Sequence, residues 1–239
     1  MWHNCEMSLA FVSGGSRGLG LETARGLRAQ GVEVVLIASD EQRLASAAQE
    51  INAKYAVVDL IDLEATRTVA ENLITTYGVP DILVLAHGVM SEKMSKTLRT
   101  DTAEWRRVMA INLDSVFIMI NSIVPFMADL RRGRVIVFSA CLGRMSGPGN
   151  TGGLAPYRIS KAGVNALVRN LAHETGLGKR GLLVDATCPN HCRTDMGGAQ
   201  APRSAQEGAE TALWLATREF KPDIDQTGLL WEDRTVIPW

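Results

Sequence analysis

The chain has 239 residues, of which 46% are apolar and 21% charged, the balance of a soluble globular protein with a sizeable core. Its formal net charge of −1 gives no sign of a nucleic-acid or anionic-membrane surface, and neither partner is expected. No apolar run reads as a bilayer span, and the leader Met1–Met7 is too short and polar for a secretory signal, so a cytoplasmic protein is expected.

Short β-branched runs alternate with longer segments of helical period, the pattern of βαβ units around a parallel sheet. The strands read as Ser8–Ser13, Val32–Ala38, Lys54–Val58, Asp81–Ala86, Arg134–Ser139, Leu182–Thr187 and Thr227–Trp231. Helical segments fall at about 18–30, 41–51, 62–77, 102–131, 156–176 and 204–218. The strands are nearly continuous apolar runs, as when helices cover both faces of a sheet. The segment around Asn112 is apolar on almost every side and is expected to be buried or at a subunit interface, with a kink or end near Pro125. No linker or repeat divides the chain. A single-domain α/β protein with a doubly wound, Rossmann-like parallel sheet of about seven strands is expected.

The first strand runs into Ser13-Gly14-Gly15-Ser16-Arg17-Gly18-Leu19-Gly20, and a helix opens at once. A helix N-terminus behind such a turn offers free N–H groups and a positive dipole end to phosphates, and the glycines allow close approach of a pyrophosphate. Farther on, Tyr157 and Lys161 stand four apart on one helix and share a face. A free tyrosine has a pKa of about 10, and a neighbouring ammonium favours its phenolate, which would make Tyr157 a usable acid or base.

The spacing of the turn resembles the Thr-Gly-x-x-x-Gly-x-Gly motif of the short-chain dehydrogenase/reductase family, with Ser13 in the threonine's place. Tyr157-Arg158-Ile159-Ser160-Lys161 is similar to that family's Tyr-x-x-x-Lys pair, Asn112 in Ala110-Ile111-Asn112-Leu113 to its helix asparagine, and Asp59-Leu60 to its adenine-side acidic position. The resemblance implies that Tyr157 protonates a carbonyl oxygen as hydride arrives. It also implies that Lys161 holds the nicotinamide ribose, that Asn112 holds a relay water, and that a serine at the end of the fifth strand orients the substrate oxygen.

At that serine the chain departs from the family. The strand ends Phe138-Ser139-Ala140-Cys141-Leu142-Gly143, and the family's register places Ala140 at the catalytic position. Alternation along the strand points Ser139 the other way unless the end twists or bulges. Either Ser139 substitutes after a shift, or the site lacks its serine, a loss worth about a hundredfold in rate. Leu85-Ala86-His87-Gly88 replaces Asn-Asn-Ala-Gly, and Pro189-Asn190-His191-Cys192-Arg193-Thr194 departs from the usual Pro-Gly loop. These changes read either as drift in loops that contact cofactor through backbone or as altered chemistry.

By the resemblance the cofactor contacts are Gly14, Ser16, Arg17, Gly18, Leu19, Gly20, Ser39, Asp59, Leu60, Ala86, His87, Gly88, Tyr157, Lys161, Pro189, Asn190, Cys192 and Thr194. Ala38 stands where an NAD-specific aspartate would hold the ribose 2′-OH, and Arg17 is placed to meet a 2′-phosphate, so NADPH is preferred over NADH. Asp40 weakens that preference unless it caps the following helix. Ala140, Cys141, Met145, His191 and Met196 are the candidate substrate-pocket residues, in a mixed pocket for a small or medium carbonyl or alcohol.

The four cysteines, Cys5, Cys141, Cys188 and Cys192, are too few and uneven for a disulfide framework. No second ligand pair accompanies Cys188-Pro189-Asn190-His191-Cys192, so no metal is expected and Cys188 reads as a small packed hydrophobe. The apolar carboxyl end from Gly228 to Trp239 is expected either to join a homodimer or homotetramer or to fold back on its own sheet. Two functions stay open: an NADPH-dependent ketone or aldehyde reductase using Tyr157, Lys161, Asn112 and Ser139, and a dinucleotide-binding protein whose chemistry is lost or redirected.

Overall fold

The computed structural model describes residues 8–92, 95–221 and 224–239; the leader Met1–Met7, and Cys5 with it, lies outside the described residues. Strand β1 (Leu9–Ser13) leads into helix α1 (Gly18–Ala29), β2 (Glu33–Ala38) into α2 (Glu41–Ile51), and β3 (Lys54–Val57) into α3 (Leu63–Tyr77). After β4 (Ile82–Leu85) come α4 (Thr102–Met109) and α5 (Ser115–Asp129), then β5 (Gly133–Phe138) and α6 (Ala155–Glu174). Strand β6 (Leu182–Thr187), α7 (Ala205–Thr217) and the short strands β7 (Leu230–Glu232) and β8 (Thr235–Ile237) complete the chain.

The strands form one sheet in the order β3-β2-β1-β4-β5-β6-β7-β8, parallel except for the last pair. Period-two alternation sends successive residues to opposite faces, and helices bury both. Phe11, Val35, Ile37, Leu83 and Val137 pack under α3, α5 and α6 with Leu73, Ile123 and Val168. Val12, Val34, Leu36, Val84 and Ile136 pack under α1, α2 and α7 with Leu27, Leu44 and Leu215. The strand order reverses between β1 and β4, and outside the carboxyl ends of these strands lies the crevice where open α/β sheets bind ligands.

Three features differ from expectation. The eighth strand, β8, pairs antiparallel with β7, which starts at Leu230 rather than Thr227. Thr227 instead accepts from the Val184 amide through its hydroxyl oxygen at 2.9 Å. The long helix is divided not at Pro125, which α5 accommodates, but by a π turn at Ala110–Asp114. There Asn112 donates to the Val89 carbonyl and accepts from its amide, so the side chain of the widened turn is tied to the loop after β4. By length and composition the run Thr102–Asp129 is apolar enough to cross a bilayer, contrary to the sequence reading, but more than half of the qualifying stretch is buried within the fold.

The carboxyl end folds back on its own sheet. Trp231 is buried, its indole N–H donates to Asp185 at 2.9 Å, and its ring meets Trp214 edge to face at 5.2 Å.

Candidate active site

Side-chain caps close the N-termini of α2, α3, α4 and α7: Asp40, Asp62, Asp101 and Ser204 each accept from a first-turn amide. The cap assigns Asp40 to α2 rather than to a ribose. Helix α1 has no side-chain cap and no acidic residue in its first turn, so its N–H groups and positive dipole end remain for an anion. It opens onto a cavity of about 450 Å³ lined by Gly14, Ser16, Arg17, Gly18, Leu19, Gly20, Ser39, Asp59, Leu60, Ala86, His87, Gly88 and Thr194. Gly14 has φ +67°, and a Cβ there would stand 2.8 Å from the His87 amide nitrogen, so the turn needs glycine on both counts. A dinucleotide fits this donor set: bare amides for a pyrophosphate, apolar walls at Val58 and Leu60, and cations at the rim.

At that rim Arg17 and Arg43 converge on one carboxylate, Asp195, with Arg43 Nη1 at 3.8 Å. Arg43 and Asp195 were not anticipated from sequence. Nothing in the local pattern separates Arg43 from any surface arginine of an amphipathic helix, and only folding brings Asp195 to it across more than a hundred residues.

A second cavity, about 390 Å³, continues from the first and shares Leu19, Ala86, His87, Gly88, Thr194 and Met196 with it. Its walls carry Ser139, Ala140, Cys141, Tyr157, Lys161, Pro189, Asn190, His191 and Cys192. Lys161 Nζ donates to the Phe138 carbonyl at 2.8 Å and stands 6.0 Å from the centre of the Tyr157 ring. Asn112 lies behind the cavity wall: a Cβ on Gly88 would be 3.3 Å from its Oδ1 and 3.5 Å from Lys161 Nζ. Gly88 thus lets Asn112 and Lys161 approach the same point. Ser160 accepts from Asn112 at 3.0 Å and joins the helix of Tyr157 to the π turn.

The electrostatics differ from the simple Tyr–Lys argument. Burial pushes Tyr157 up, and the nearby Cys188 and Cys141 push it further, while burial lowers Lys161 to about 8. The cavity therefore holds Tyr157 as a phenol, a proton donor rather than a base, beside an ammonium whose proton is held less tightly than usual.

Ser139 belongs to the cavity wall, but its hydroxyl turns toward α6 and donates to Asn165 Oδ1 at 2.5 Å. Strand β5 keeps an unbroken register with β6 up to Phe138, one residue before Ser139, and Ala140 lines the same cavity. Met145 is no wall residue: it is 77% exposed and lines neither cavity. The ring of His191 hydrogen-bonds the Gly197 carbonyl at 2.8 Å and so holds the loop after β6 in place.

His87 and Ser13, two departures from the family pattern, explain each other. Ser115 gives its proton to the Ile111 carbonyl at 2.7 Å, so it accepts from His87 Nε2 at 2.8 Å. His87 Nδ1 is left to accept from the Ser13 hydroxyl at 2.6 Å. Burial and the Lys161 charge lower His87 to about 3, which keeps the ring neutral. The relay ties the end of β1 to the end of β4 and to the π turn.

An uncapped helix behind a glycine turn at a strand-order reversal, with a buried Tyr–Lys pair at the far end of one cleft, defines a dinucleotide-binding α/β protein equipped for proton transfer. A family model for the short chain dehydrogenase matches residues 8–205. The chain belongs to the short-chain dehydrogenase/reductase family of oxidoreductases. It is 31% identical to the 3-oxoacyl-acyl-carrier-protein reductase FabG of Escherichia coli K12 over 233 residues, covering 90% of this chain and 92% of that protein. The enzyme of the same name from Staphylococcus aureus Mu50 is 30% identical, covering 91% and 87%. Among solved structures, a short chain dehydrogenase/reductase family protein superposes with a TM-score of 0.81 at 26% identity, covering 95% of each chain. A short chain dehydrogenase from Salmonella enterica serovar Typhi CT18 superposes at 0.83 with 22% identity, covering 95% and 96%.

Proposed function

We propose that this protein is a cytoplasmic NADPH-dependent reductase of ketones or aldehydes in which Tyr157 donates the proton. The observation that carries the reading is the buried Tyr157 phenol beside Lys161, in a cavity continuous with the one that α1 faces. A bound nicotinamide dinucleotide supplies the hydride. The α1 amides and Gly14 would hold its pyrophosphate, Asp59 and Leu60 its adenine end, and Arg17 with Arg43 its 2′-phosphate. Ala38 sets no carboxylate against that phosphate. Tyr157 releases its phenolic proton to the carbonyl oxygen. The Lys161 ammonium, held by the Phe138 carbonyl, offsets the charge that develops on the phenolic oxygen. Asn112 keeps the π turn fastened to the loop after β4, next to Lys161.

The relatives named 3-oxoacyl-acyl-carrier-protein reductase place 3-oxoacyl thioesters first among the carbonyl substrates to try. A second reading, a dinucleotide-binding protein with lost or redirected chemistry, is favoured by the Ser139 hydroxyl being engaged with Asn165 while Ala140 faces the cavity.

One experiment separates the two. NADPH and NADH oxidation is followed at 340 nm over ketones, aldehydes and 3-oxoacyl thioesters for the parent, Tyr157→Phe and Ala140→Ser. Turnover by the parent, with a lower KM for NADPH than for NADH and a loss of about a hundredfold or more in Tyr157→Phe, supports the reductase. A silent parent awakened by Ala140→Ser supports the second reading.

A further inference from the structure

Three cysteines lie among the described residues, and none is in a disulfide. Two of them meet at the substrate end of the cleft. Strands β5 and β6 are neighbours in register, with Phe138 opposite Thr187, so Cys188 follows the paired position by one residue and Cys141 by three. After the extended Ala140 the chain coils at once into a tight turn, Cys141–Gly143, which swings Cys141 back over the end of β6. The Cys141 amide donates to Cys188 Sγ at 3.0 Å, which sets the two cysteines side by side. Cys192 is not part of the pair; its thiol donates to the Pro189 carbonyl at 3.1 Å.

The two sulfurs are unequal. Cys141 is half-buried in the cavity wall, whereas Cys188 is 2% exposed. The neighbouring Cys188 holds Cys141 below the usual thiol range, and Cys141 together with burial raises Cys188 in turn. That is the division between an attacking and a resolving cysteine.

We propose that Cys141 and Cys188 form a redox-active dithiol in the wall of the substrate cavity, which a peroxide converts to an intramolecular disulfide. The Cys141 thiolate attacks the peroxide, an S–O bond forms as the O–O bond breaks, and hydroxide or alkoxide leaves. Cys188 sulfur then attacks the sulfenic sulfur; the S–S bond forms, the S–O bond breaks, and the oxygen departs as water with the Cys188 proton. Two electrons pass from the sulfur pair to the peroxide, and a dithiol reductant reverses the change. The proposal is independent of the reductase reading, because the thiol chemistry is read by mass.

The test treats the folded full-length protein with equimolar hydrogen peroxide at neutral pH, alkylates it in denaturant, and analyses tryptic peptides. The expected result is a peptide pair joining Cys141 to Cys188, two hydrogens lighter than the reduced pair and abolished by dithiothreitol. Cys188 and Cys192 share one tryptic peptide, so the link must persist in C192S. In C188S a sulfenic acid at Cys141 is trapped by dimedone, and in C141S neither product forms. Iodoacetamide labels Cys141 about tenfold faster than Cys192 in the untreated protein. Peroxide-treated wild type in which Cys141 and Cys188 both remain alkylatable overturns the proposal. So does a link made only in urea or to Cys192 or Cys5. The wild-type measurement decides even if a variant fails to fold.

Discussion

His87 shows how one buried side chain is governed by neighbours from distant parts of the chain. It bridges Ser13 and Ser115, and burial with the Lys161 charge holds it neutral down to about pH 3. In the unfolded chain a histidine takes up its proton near pH 6.5. Between these values the unfolded state binds more protons, so this group contributes stability above pH 6.5 that is lost progressively as pH falls toward 3. Thermal melts of wild type and His87→Ala from pH 7.5 to 4.5 check this. The variant is expected to be less stable by about 1–3 kcal/mol at neutral pH, because two serines lose a buried partner, and to lose less stability on acidification. Parallel curves would remove His87 as the source of the acid sensitivity. The sequence marked His87 as unusual, but its role depends on Ser115, twenty-eight residues away, and no periodicity links them.

Among the secondary elements, the attachment of β7 rests on one buried carboxylate. Asp185 on β6 accepts from the Trp231 indole at 2.9 Å, the Leu229 amide at 3.2 Å and the Thr227 hydroxyl at 3.1 Å. It also pairs with Arg218 at 3.1 Å, whose guanidinium stacks at 4.8 Å from the Trp214 ring centre and 4.9 Å from that of Trp231. Removing one partner of a buried pair strands the other. Asp185→Ala is expected to cost about 3–5 kcal/mol in urea denaturation, while Asp185→Asn, which keeps hydrogen-bonding capacity, costs less. Equal losses for both would show that the charge rather than the shape of the side chain dominates. In a sequence reading Asp185 is an anomaly inside the apolar run Leu182–Thr187. The residues that justify it come from the end of α7 and the chain end, so of the short β7–β8 hairpin that they anchor only β7 was legible, as a strand begun too early at Thr227, while β8 read as part of an apolar tail.

At the scale of the whole molecule, folding moves the candidate contact surface. Trp231, near the carboxyl end, is buried, and the large exposed apolar side chains of α5 and its C-cap are Phe117 at 49%, Phe126 at 46% and Leu130 at 51%. Three such groups on and just beyond α5 support self-association through that helix, in keeping with a homodimer or homotetramer. Light scattering at micromolar concentration is expected to give a multiple of the 25.9 kDa chain mass, and Phe126→Asp to lower it. A monomer mass for the parent would dismiss the assembly.

What the sequence determined by itself is whatever depends on near neighbours. Alternating apolar runs announced the doubly wound sheet, the glycine turn before α1 announced an anion site, and a four-residue step put Tyr157 and Lys161 on one face. Each follows from backbone geometry that repeats over a few residues. Tertiary structure decided the rest. It turned the Ser139 hydroxyl to Asn165, raised Tyr157 where a lysine alone would lower it, tied the π turn through Asn112, brought Arg43 and Asp195 together, and set Cys141 against Cys188. Desolvation and hydrogen bonding depend on which distant segments close over a group, and no local pattern encodes that.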